Sequence, residues 1–117
     1  MGDISRNFNR SEFACKCGCG FDTVDVQLLS YLEEVREEFG PVRVTSGARC
    51  PEYNRSVGGS DKSQHLFGRA ADIQIDGVSP LDIQDFCEAV VTPNGLGRYH
   101  SFTHIDSRSS GLARWEG

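Results

Sequence analysis

No apolar run in this 117-residue sequence approaches the roughly 20 residues a helix needs to cross a bilayer, which excludes a helical membrane span. Positive charge is also short: 12 Lys and Arg against 17 Asp and Glu leave a net charge of -5 at pH 7. With no Lys/Arg cluster to offset it, a nucleic-acid backbone is not the expected partner. Met1 to Arg10 is polar and lacks the apolar stretch of a signal peptide. The chain therefore works in the cytoplasm, is exported by another route, or has lost a leader. Internal repeats and low-complexity segments are missing too. One domain is expected over residues 1–117, monomeric, with 1–10 as a polar lead-in and Phe8 as its anchor on the core. A chain of this length can bury roughly 65% of its unfolded surface in a single core.

Cysteine, by contrast, is plentiful: five residues, an odd number, so at least one is unpaired. Cys15-Lys16-Cys17-Gly18-Cys19 separates its thiols by single residues, unlike the C-x-x-C knuckle that wraps zinc. A metal site recruiting Cys50, a disulfide to Cys50 or Cys87, and reduced, partly buried thiols all remain open.

Hydrophobic periodicity gives the elements. Val24, Leu28, Leu32, Val35 and Phe39 recur at three- and four-residue intervals and predict an amphipathic helix after the cap candidates Asp22 to Asp25. Glu33, Glu34, Arg36, Glu37 and Glu38 form its solvated face. Gly40-Pro41 stops it, and Val42 to Thr45 reads as a short strand. Cys50 to Val57 is a candidate short helix with Pro51 in its first turn. A second main helix starts at Ser79-Pro80 and buries Leu81, Ile83, Phe86, Cys87, Val90 and Val91. Beyond the Pro93-Asn94-Gly95 turn, residues 96–99, 102–106 and 112–115 predict a meander, with 108–111 as its polar hairpin loop.

The stretch from Ser63 to Ile75 is the one the chain is organised around. From Arg69 onward it alternates with period 2, so Ala71, Ile73 and Ile75 face the core and Asp72 faces the other way. His65 precedes the strand in a loop that Gly68 lets fold back. An imidazole and a carboxylate converging there suit zinc, and one more ligand would leave an open position for water. The third candidate is His104. In Phe102-Thr103-His104-Ile105-Asp106 the same alternation puts Asp106 on the face of His104, about 7 Å along. From there a carboxylate can orient the imidazole or reach a water on the metal.

Ser63-Gln64-His65 through Gly68-Arg69-Ala70-Ala71-Asp72-Ile73, with Thr45-Ser46-Gly47-Ala48-Arg49 upstream and Phe102 to Asp106 downstream, resembles the zinc D-alanyl-D-alanine carboxypeptidases of the peptidase M15 family. D-Ala-D-Ala dipeptidases and phage L-alanyl-D-glutamate endopeptidases are relatives, and the hedgehog signalling domain carries the same signature. The resemblance spans about Phe13 to Trp115. It implies an α+β fold of the hedgehog/DD-peptidase kind, with a mainly antiparallel sheet packed on helices. It also implies one zinc ion on His65, Asp72 and His104, Arg49 gripping a substrate carboxylate or steadying the oxyanion, and Ser63 lining the same cleft. The implied substrate is a peptidoglycan stem peptide. In one respect the chain departs from the pattern. Family members place a Glu or His base two, three or six residues before the last ligand, where this chain has Phe102, Ser101 and Arg98. Asp106 is the expected substitute and His100 the reserve. A chain without a base could still serve as a zinc-bearing peptidoglycan-binding or signalling module. A thiol-based metal-binding protein is the third reading.

Overall fold

Leu28, Leu29, Tyr31, Leu32 and Val35 turn the predicted apolar stripe into the buried side of helix α1 (Val26–Phe39). Asp25 holds its N-cap position, although the Asp25 carboxylate accepts from Ser107 Oγ at 2.6 Å and not from the helix. The computed structural model describes residues 2–117; Met1, the start of the expected lead-in, lies outside the described residues. After α1 come strand β1 (Arg43–Ser46), helix α2 (Pro51–Ser56), strand β2 (Ala70–Gln74), helix α3 (Pro80–Phe86), and strands β3 (Gly95–Arg98), β4 (Thr103–Asp106) and β5 (Ala113–Glu116).

The fold is α+β as expected, with all five strands in one sheet of order β1-β2-β4-β3-β5. Three of its pairings are antiparallel, and the fourth, β3 with β5, is parallel. The predicted meander is therefore corrected. β4 already has β2 on one side and β3 on the other, so β5 takes the outer edge of β3, and residues 107–112 form a crossover instead of a hairpin loop. Among the described residues, no helix is long and apolar enough to cross a membrane.

One face of the sheet carries the core. Val44, Ala71, Ile73, Leu96 and Ile105 pack against α1, against Ile83, Cys87 and Val91, and against Phe8 and Phe13 from the N-terminal segment. Ser79 Oγ caps α3 through Asp82 N, as its sequence predicts. The helix then widens into a single π turn over Cys87–Val91. That extra residue per turn shifts the phase of the stripe, and Val90 is 56% exposed rather than buried. Leu81, also expected inside, is 59% exposed in the first turn. Cys87 is core, and burial pushes its thiol up to about 12.

The lead-in is folded, and one member of the acidic helix face is the reason. Glu33 accepts from Ser5 Oγ at 2.6 Å, from Asn7 N at 2.8 Å and from Asn7 Nδ2 at 2.6 Å. Partial burial raises the pKa of its carboxyl, but these bonds and the Arg36 charge outweigh it and hold the group below its ordinary value. A depressed carboxylate contributes stability above its unfolded pKa of about 4.3, and that contribution disappears as pH falls through the folded value. Glu33→Gln, with one acceptor oxygen in place of two, is expected to cost about 1–2 kcal/mol at neutral pH. In urea denaturation, the variant and the parent should converge below about pH 4.

Candidate metal centre

The face of the sheet opposite the core is built from the alternate residues of the same strands. Asp72 on β2 stands directly across from His104 on β4, and Ala70 across from Asp106. On β3, Gly95 pairs with Asp106. A Cβ at Gly95 would overlap the Asp106 carboxylate, so only glycine fits there. β1 contributes through a bulge: Val44 pairs with Ile73, but Ser46 pairs with Asp72. The extra residue, Thr45, resets the alternation and brings Ser46 to the cleft face.

His65 arrives from outside the sheet. Ser63 Oγ accepts from His65 N at 3.2 Å and caps a 3-10 turn over Gln64–Phe67. Gly68 closes that turn at φ +68, where its missing Cβ would strike the Thr23 carbonyl. The turn lays the His65 ring edge-on to that of His104, with centroids 5.1 Å apart.

Three ligand atoms converge. His65 Nε2 is 3.3 Å and His104 Nδ1 is 3.0 Å from Asp72 Oδ1, and all three residues are buried. The far nitrogen of each ring has a partner of its own. His65 Nδ1 donates to the Gly47 carbonyl at 2.7 Å, leaving a lone pair on Nε2. His104 Nε2 lies 2.7 Å from Asp106 Oδ2 and Nδ1 lies 3.0 Å from Asp72 Oδ1, so a proton on Nε2 leaves the Nδ1 lone pair free for a cation. With the His104 proton on Nε2, two imidazole lone pairs and a carboxylate oxygen point at one another, which is favourable only with a cation between them. Burial raises the pKa of the Asp72 carboxyl, but the two histidines outweigh it and hold the group well below the usual carboxylate range. Burial lowers the pKa of His104, but Asp106 and Asp72 outweigh it and raise the value overall. A proton or a metal ion can supply that charge at Nδ1, and two nitrogens with one oxygen form the donor set of a catalytic zinc site. The residues fit the ion.

These groups line an open cleft of about 580 Å³ together with Arg49, Ser63, Lys62, Arg108, Tyr99, Phe102 and Trp115. Arg49 Nη2 lies 3.2 Å from Asp72 Oδ2, its Nε donates to Ser46 Oγ at 2.9 Å, and its Nη1 donates to Asn54 Oδ1 at 3.2 Å. Two of the five guanidinium N–H groups are left over. Ser63, His65, Asp72, His104 and Arg49 thus meet in one place.

Asp106, expected as the base, meets them only from behind. It is fully buried and absent from the cleft lining. Its Oδ2 accepts from His104 Nε2 and from Arg108 Nη2, the latter at 2.7 Å, and its Oδ1 accepts from Arg108 Nε at 2.8 Å. A carboxylate so committed cannot take a proton from a molecule in the cleft. The reserve, His100, is exposed between β3 and β4 and also lies outside the lining. Sequence reasoning missed Arg108, which binds Asp106 with two nitrogens and sits 5.0 Å above the Trp115 ring. It missed Asn54 as well, a buried amide that ties Arg49 to the Ser60 carbonyl. An Asp-x-Arg pair at a strand end was a usable signal for Arg108; nothing local marked Asn54.

Curated proteins provide no match to the chain. A family model described as Peptidase M15 matches residues 6–106, which takes in Arg49, His65, Asp72 and His104. On that coverage, the chain belongs to the peptidase M15 family.

Proposed function

We propose that the chain is a zinc-dependent metallopeptidase that hydrolyses a peptide bond in bacterial cell-wall stem peptides, in the manner of a D-Ala-D-Ala carboxypeptidase. The observation that carries this reading is the convergence of His65 Nε2 and His104 Nδ1 on Asp72 Oδ1, at 3.3 and 3.0 Å, on the wall of an open cleft. His65, Asp72 and His104 hold the ion. Zinc so held supplies Lewis acidity, polarising a scissile carbonyl and lowering the pKa of a water to about 7.

The remaining residues bind and orient. The chain is acidic overall, yet Arg49, Lys62 and Arg108 surround this cleft, and Asp72 is its only lining carboxylate among the described residues. With Arg49 set against Asp72 and Arg108 against Asp106, Lys62 and a cation in the centre would favour a substrate with a free carboxylate, as a stem peptide has. Arg49 offers its two spare N–H groups to that carboxylate or to the oxyanion, in a planar fork that lysine lacks. Ser63 lines the same wall. Tyr99 and Phe102, stacked with centroids 4.3 Å apart, form an apolar side for the peptide. Asp106 acts as a positioning residue, fixing the His104 tautomer.

The commitment of Asp106 to His104 and Arg108 favours one second reading, a zinc-bearing module that binds peptidoglycan without turnover. Incubating zinc-loaded protein with muropeptides and following new termini by mass spectrometry separates the two. The proposal predicts release of a terminal residue or fragment. Saturable binding with intact muropeptides would give the second reading its case.

A further inference from the structure

Outside the cleft, four of the five cysteines gather at one point. Cys15 and Cys17 Sγ are 3.4 Å apart, Cys17 and Cys50 Sγ are 3.6 Å apart, and Cys19 joins them with all four sulfurs within 4.8 Å of one another. All are free thiols, and Cys87 is not among them. A tetrahedron with zinc–sulfur bonds of about 2.3 Å has edges of about 3.8 Å, so these sulfurs already stand near the corners of a tetrahedral four-thiolate site. Two backbone donors point at the cluster: Cys50 N at Cys15 Sγ and Tyr53 N at Cys50 Sγ, each at 3.4 Å. Such N–H···S bonds stabilise thiolate charge and orient the ligands.

We propose that Cys15, Cys17, Cys19 and Cys50 form a second, structural metal site that takes a thiophilic divalent ion, zinc by preference. Single-residue spacing excludes the C-x-x-C knuckle, not a set that recruits Cys50. The fourth ligand, from the N-cap of α2, closes the set. Binding deprotonates the thiols and releases their protons to solvent. The ion cross-links the N-terminal segment to the loop that arranges the cleft. Ala48 N of that loop donates to the Phe13 carbonyl at 2.8 Å, and Gly47 O holds His65. Arg49 is the residue next to Cys50.

The site stands independently of the catalytic reading, and cobalt titration distinguishes them. Reduced apoprotein titrated with Co(II) should develop an intense thiolate-to-metal charge-transfer band of the same final amplitude in the parent and in His65→Ala, saturating at one equivalent in the variant and by two in the parent. Zinc analysis should give two ions per chain in the parent and one in His65→Ala. Cys17→Ser/Cys19→Ser should lose the band and one zinc while keeping the other ion. Both readouts on chains with the cluster intact decide the matter even if the cysteine variant misfolds. Absence of the charge-transfer band at saturating cobalt would overturn the proposal. So would a native, unreduced chain found two hydrogens lighter, with Cys50 in a disulfide.

Discussion

His65→Ala is expected to lower muropeptide hydrolysis by at least about a thousandfold and to abolish metal binding at the cleft. Lewis-acid stabilisation of the transition state is worth several kcal/mol, and each 1.4 kcal/mol is about tenfold in rate. On the proposed ligand set, loss of one of three ligands forfeits that contribution. The substitution also strands the Gly47 carbonyl, which accepts from His65 Nδ1 in a buried position. An unsatisfied buried acceptor costs about 1–3 kcal/mol, so some fall in melting temperature accompanies the loss of activity. Circular dichroism at the assay temperature separates the two effects. A folded variant with parental turnover would remove His65 from the mechanism.

Asp106→Asn should have the second largest effect, and it acts through His104 and Arg108 instead of through substrate. Four donors converge on the Asp106 carboxylate: His104 Nε2 and Arg108 Nε, Nη2 and backbone N. Asparagine keeps the shape but offers one acceptor oxygen and a new pair of donors. Its amide must confront either His104 or Arg108. Confronting His104 moves that ring's proton to Nδ1, the atom needed for the metal. Orienting partners of this kind typically change metal affinity by about 10–100-fold, which competition with a chelator measures directly. Stability should fall by roughly 3 kcal/mol, the low end for a broken buried pair, because the Arg108 side chain retains 22% exposure.

The same variant has a signature in pH that a simple packing defect lacks. Burial raises the pKa of the Asp106 carboxyl, but Arg108 and His104 outweigh it and hold the group well below its ordinary value. A depressed carboxylate contributes stability above an unfolded pKa of about 3.9, and the contribution is lost as pH falls. The parent should therefore lose stability faster than Asp106→Asn below about pH 4. If the two acid limbs ran parallel, the ion-paired role would be refuted.

How far the sequence could be read depended on the range of each signal. The α1 stripe and the Ser79-Pro80 cap are local patterns, and both appear where the periodicity put them. The alternation around Asp72 and His104 correctly separated core face from cleft face. Period 2 says which side a residue takes, not which strand lies beside it, and so β5 was assigned to a meander and not to the parallel edge of β3. The π turn hid for a similar reason: one extra residue per turn leaves no mark on composition, yet it exposes Val90. Long-range polar bonds were the least legible. Nothing near Glu33 distinguishes it from Glu34, and only the folded chain brings Ser5 and Asn7 to it. Asp106 lies on the expected face, and the partner that commits it, Arg108, is only two residues on, a local Asp-x-Arg signal that the reading passed over.

The account rests on two imidazoles with opposite tautomers sharing a cation with Asp72. Anomalous diffraction at the zinc edge from zinc-loaded crystals tests this without any assay. The predicted result is a peak bonded to His65 Nε2, His104 Nδ1 and Asp72, with Asp106 on the remote nitrogen of His104. The absence of a peak on this face of the sheet, whatever appears at the cysteine cluster, or a peak bonded to His104 through Nε2, would contradict it.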